Sequence, residues 1–178
     1  MFTGKLDGYD GDTITCTVDG FECMATIHHD SDHGTPWENE DGHGPVTDWM
    51  DKDSKVAGYR VLSADGRRVR FYNYAEAIKI AKRDGWDAEP YGEGTKGERA
   101  ARAVDADFAN LKAWCRDEWW YVGVAVTVSK NGIQLTGKYD HACWGIESTA
   151  GSFLVEVAND HLSEALDAAK TAIAKLCA

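Results

Sequence analysis

Apolar and polar residues alternate strictly at the start of the chain. In TITCTVDGFECMATI, Ile14, Cys16 and Val18 alternate with threonines, and Phe21, Cys23, Ala25 and Ile27 resume the same face beyond Asp19-Gly20. Period-2 alternation across a dipeptide suited to a type I′ turn predicts a β-hairpin. A two-residue turn pairs 18 with 21, 17 with 22 and 16 with 23, so Cys16 and Cys23 face each other as buried reduced thiols. GYRVLSADGRRVRFYN predicts a second hairpin around Ala64-Asp65-Gly66. Asn73, with Glu76 three positions on, is placed to cap a helix that stops near Gly85, and Thr95 with Glu98 forms a capping box. The helix opened by Thr95 carries Val104, Phe108, Leu111 and Cys115 on one stripe and runs to about Trp114 or Asp117. Val122, Val124, Val126 and Val128 alternate in a strand that turns at Asn131-Gly132. Residues 142–146 and 152–157 read as further strands. Asn159 or Asp160 then caps a last helix with the stripe Leu162, Ala165, Leu166, Ala169, Ile173 and Leu176. Hairpin-joined strands with clustered helices define an α+β fold, mainly antiparallel sheet packed by about three helices.

Between about residues 28 and 54 the periodicity lapses. Gly, Asp, Pro and His dominate, while Trp37, Val46, Trp49 and Met50 are spaced to pin the segment to a core. A connection this long is longer than usual and favours a functional loop. The 178 residues fit a single domain over 1–178 carrying this acidic, Gly/His-rich loop. The absence of an 18-residue apolar run argues against a membrane span. The start of the chain does not resemble a secretory signal. Five scattered cysteines suit a reducing compartment.

Charge sharpens the picture. Of the net −11, the first fifty residues carry eleven acids and one base, Lys5. Such a lobe repels phosphate backbones and disfavours direct nucleic-acid binding; it suits cations or a basic protein surface. The candidate binding residues are Asp30, Asp32, Trp37, Glu38, Glu40, Asp41 and His43. His28, His33 and His43 form a candidate metal set, since imidazoles ligate zinc or another divalent metal and nearby carboxylates can complete or orient a site. Adjacent His28 and His29 leave a strand on opposite faces, so both do not serve one ion. The spacing matches no HExxH, no CxxC, no EF-hand loop, no phosphate loop and no GxSxG elbow. RRVR (Arg67, Arg68, Arg70) is the one compact basic cluster and reads as the charged guard of a solvated edge strand.

DHGTPWENEDGHGPVTDW, IKIAKRDGW, the segment GERAARAVDADFANLKAWCRDEWWYVGVAVTVSKNG, CWGIES and FLVEVANDHL follow one another in order. Together, with Trp37, Asp41-Gly-His-Gly44, Trp49, Asp84-Gly-Trp86, Trp114 and Trp144-Gly145, they resemble an uncharacterised family of small tailed-bacteriophage and prophage proteins. The likeness spans about residues 22 to 168. It implies an intracellular accessory protein of an infected bacterium, in the host cytoplasm, and transfers no catalytic residue. The expected function is binding of a host or phage protein through an acidic surface, without membrane, nucleic acid or cofactor. One concrete form is inhibition of a host defence or nucleic-acid-binding protein. The alternative is a metal-dependent hydrolase or metal-stabilised domain built on His28–His43.

Overall fold

The computed structural model describes residues 1–54, 56–86 and 93–176, the last without the side chain of Leu176. Cys177 and part of the loop expected at 89–97 lie outside the described residues. The fold is α+β with mainly antiparallel sheet. Where the sequence suggests one domain, the chain divides into two compact units: Met1–His33 with Trp119–Ala178, and Gly34–Glu118, which is inserted into the first.

The first unit is a sheet backed by a helix. Strands β1 (Thr13–Val18) and β2 (Phe21–His29) form the first hairpin, with Cys16 opposite Cys23 as turn geometry requires. β2 pairs with β6 (Tyr121–Lys130), and β6 pairs with both β7 (Ile133–Gln134) and β8 (Ala142–Glu147). Phe21, Cys23, Ala25 and Ile27 share one face with the alternate valines of β6, and α4 (Phe153–Leu176) covers it. Residues 152–157 do not form the expected strand. Their Phe-Leu-Val-Glu-Val composition favours β structure, but Leu154, Val157 and Ala158 have the 3–4 spacing that continues through Leu162, Ala165 and Ala169. Burying that longer stripe decides for helix. Asn159, expected as a cap, lies inside α4 and clamps Phe2: it accepts from the Phe2 N–H at 2.8 Å and donates to the Phe2 carbonyl at 3.1 Å.

The second unit packs two helices on one face of a small sheet. The long connection contains α1 (Pro36–Asn39) and β3 (Met50–Asp51), ahead of β4 (Tyr59–Asp65) and β5 (Arg68–Asn73). The strand order is β3-β5-β4, so Arg68 and Arg70 lie on the central strand and not on an edge, and Arg67 is in the turn that precedes it. α2 (Tyr74–Asp84) is capped by Asn73 and ends at left-handed Gly85. α3 (Lys96–Trp114) starts at the complete Thr95/Glu98 capping box. Leu62, Tyr72, Ala77, Ala81, Ala100, Val104 and Leu111 form this unit's buried core. Among the described residues no helix is long and apolar enough to cross a membrane.

Candidate functional site

The histidine-rich stretch ends up in both units, and its residues do different work in each. In the first unit, His28 opposes Gly123 on the sheet face away from α4, while His29 is exposed. Asp30 is turned inward. Its side chain is 11% exposed, and its Oδ2 accepts from the Gly145 N–H at 3.0 Å, tying the end of β2 to β8. His33 packs on the Tyr121 ring, centroids 3.9 Å apart, with its Nδ1 3.9 Å from Asp30. A Cβ at Gly145 would meet the His33 ring at 2.7 Å. The Asp30/His33 pair and the Trp144-Gly145 dipeptide are therefore two halves of one packing arrangement.

In the second unit, the DGHG turn lays His43 on Asp107 of α3. Nδ1 of His43 is 2.6 Å from Asp107 Oδ1; Asp107 Oδ2 accepts from the Tyr72 hydroxyl at 2.6 Å and the Gly44 N–H at 2.8 Å. An ionised carboxylate only accepts, so Nδ1 carries a proton, and in the neutral ring the lone pair is on Nε2. Asp107 is 8% exposed and His43 16%. Burial and the Asp107 bond push the Tyr72 phenol well above its ordinary range, which keeps it a donor. A Cβ on Gly44 would come within 2.2 Å of the Tyr72 hydroxyl, so the turn needs glycine there. Asp107 and Tyr72 were not among the residues expected from sequence. The available signal was an acid on the apolar stripe of α3, between Val104 and Leu111.

The remaining candidates are spread out. Asp32, Glu38, Glu40 and Asp41 are exposed; Glu38 accepts from the Thr35 hydroxyl at 2.6 Å. Trp37 is packed edge-on against Trp114, centroids 5.3 Å apart, and the Arg70 guanidinium sits 5.0 Å from Trp37 and 4.9 Å from Trp49. Arg70 is thus an aromatic-stacked strut beside the core. The acids of the first fifty residues are divided between the units: seven belong to the first and four to the second. Several serve the backbone. Asp10 accepts from the His29 N–H at 2.9 Å, and Asp12 from the Asp7 N–H at 2.6 Å. His28, His33 and His43 each have separate neighbours. Among the described residues, no group of three or more His, Cys, Asp or Glu side chains is placed to hold a metal ion.

The outward face of the first unit's sheet carries the other notable feature. Trp144 lies over Gly123, where a Cβ would meet the indole at 2.3 Å. The Tyr139 ring is 5.6 Å from Trp144 and 5.2 Å from His28. Trp144 is 42% exposed and Tyr139 49%, and Met24 is also exposed on this face. The unit around them carries thirteen acids and five bases, a net of −8. Burial and then Lys138 lower the His28 pKa, while Asp10 opposes them. Comparison with models of known families, with curated proteins and with solved structures gave no match to this chain.

Proposed function

We propose that this is a phage accessory protein, acting in the host bacterial cytoplasm, that binds a host or phage protein through the outward sheet face of its first unit. The observation that carries the reading is the pair of exposed rings, Trp144 and Tyr139, packed around half-buried His28 in a unit of net charge −8. Trp and Tyr are the side chains that most often dominate protein interfaces, because they bury a large rigid area and keep a polar edge. The surrounding negative charge selects a basic partner surface and steers its approach. It also disfavours direct contact with nucleic acid. A nucleic-acid-binding protein of a host defence system presents such a basic surface. Phage origin rests on the motif resemblance; the binding mode rests on the exposed aromatics and the charge.

Affinity capture from expressing bacteria tests this. The wild-type chain is expected to retain a basic protein that elutes as salt rises to about 0.5 M, where exposed charges are screened over a few ångströms. The Trp144→Ala/Tyr139→Ala double variant, with its melting temperature checked, is expected to lose that protein. Equal retention by a folded double variant would rule this face out.

A further inference from the structure

We infer that the cleft beside His43 in the second unit binds a small neutral planar ring carrying an N–H or O–H donor, with His43 Nε2 as the acceptor. The cleft, of about 460 Å³, is lined by Gly42, His43, Trp86, Ala103, Ala106, Asp107 and Asn110. That volume lies within the range of small-molecule sites. This site is separate from the aromatic face described above and does not depend on the docking reading.

The shape comes from the helix. Ala103, Ala106, Asp107 and Asn110 stand at i, i+3, i+4 and i+7 on α3, so they share one face. Two alanines keep that face low where larger residues would fill the space. Trp86 adds an indole wall directly after left-handed Gly85. Gly42 brings no side chain to the rim. Flat and small walls of this kind favour a ring over a branched or extended chain.

The polarity comes from the dyad. Both oxygens of Asp107 are already occupied, by His43 on one side and by Tyr72 and Gly44 on the other. Nδ1 of His43 is held by Asp107, and among the described residues Nε2 has no hydrogen-bond partner. Buried side-chain atoms lacking a partner among the described residues are Arg70 Nε and His141 Nδ1, so Nε2 of His43 reaches solvent. The carboxylate orients the ring and fixes which nitrogen faces the cleft, as an outer carboxylate does for any imidazole that must present one nitrogen. Among the described lining residues there is no Lys or Arg. A ligand phosphate or carboxylate finds no counter-charge there, which selects a neutral ligand.

Phenolic and nucleoside ligands share this chemistry, and two sets of probes separate them. The intact chain is titrated with phenol, and in parallel with adenosine, guanosine, cytidine and uridine. The readouts are the Trp86 indole N–H signal and the His43 imidazole ¹⁵N signals. The expected result is saturable movement of both with at least one probe, at a Kd below about 5 mM, a weak but specific affinity. Phenol alone saturating assigns a phenolic ligand; a nucleoside saturating assigns a nucleobase. His43→Phe is expected to weaken binding about tenfold or more, the loss that follows removal of a desolvated hydrogen-bond partner. The wild-type ¹⁵N shifts give a second readout that needs no variant: Nδ1 protonated, with Nε2 unprotonated and shifting as ligand binds. The inference is overturned if no probe saturates, if His43→Phe binds equally well, or if the proton resides on Nε2.

Discussion

Gly44 shows how much can depend on one missing side chain. A Cβ there would collide with the Tyr72 hydroxyl and with Ala77, and would push apart the turn that brings His43 and the Gly44 N–H to Asp107. Gly44→Ala is expected to cost about 2–4 kcal/mol, from overpacking plus loss of a buried hydrogen bond to a charged group. Urea denaturation measures it, and an unchanged midpoint would show the turn to be adaptable. His28 gives a pH dependence. Its pKa is lowered in the fold, chiefly by burial, so the unfolded chain binds the proton more tightly. Its contribution to stability is therefore present above its ordinary pKa of 6.5 and is lost as pH falls below that value. Urea midpoints at about pH 7.5 and 5.5 should show the fall, and His28→Gln should flatten it. If the variant keeps the wild-type slope, other groups are responsible. At this scale the sequence was half readable. His43 stood out between two glycines, but Asp107 looked like one more acid on a helix. Only the tertiary fold brings a position 64 residues away into contact with it.

Among the elements, local signals were read well where they were self-contained. Turn chemistry at Asp19-Gly20 specified the β1–β2 register, and the Thr95/Glu98 box located the start of α3. These depend on neighbours within a few residues. The start of α4 was misread because residues 152–157 satisfy strand composition and helical spacing together, and packing on β6 decides between them. β5 was misread as an edge because the two-residue β3 has no periodicity of its own to announce it. The tie between the end of β2 and β8 was also invisible, since Asp30 and Gly145 are 115 residues apart. That tie is testable. Asp30→Ala removes the acceptor for the Gly145 N–H. Gly145→Ala puts a Cβ against His33 at a residue with φ of 74°. Each is expected to cost about 1–3 kcal/mol. Because both disturb the same joint, the double variant should lose less than the sum of the two. Full additivity in chemical denaturation would mean that the two contacts act independently.

At the scale of the whole molecule, charge counted along the chain differs from charge counted by unit. The first fifty residues are acidic as a segment, but the fold changes unit at residues 33 and 34, so the acids are shared out and the net −8 belongs to a discontinuous unit. Nothing in local pattern marks the point at residues 33 and 34 where the chain leaves one core for another, since both sides of it are polar. The two cores are nevertheless distinct: one draws all its members from residues 1–33 and 119–178, the other from 34–118. The inserted unit also holds the whole Asp107 network, both capped helices and its own three-stranded sheet. A segment of about 85 residues with its own core is long enough to fold alone. Residues 34–118, produced as a separate chain, are therefore expected to unfold cooperatively in urea and to keep the His43 Nδ1–H signal of the intact protein. A fragment with no transition, or one whose imidazole proton exchanges freely, would mean that the second core is completed only by the rest of the chain.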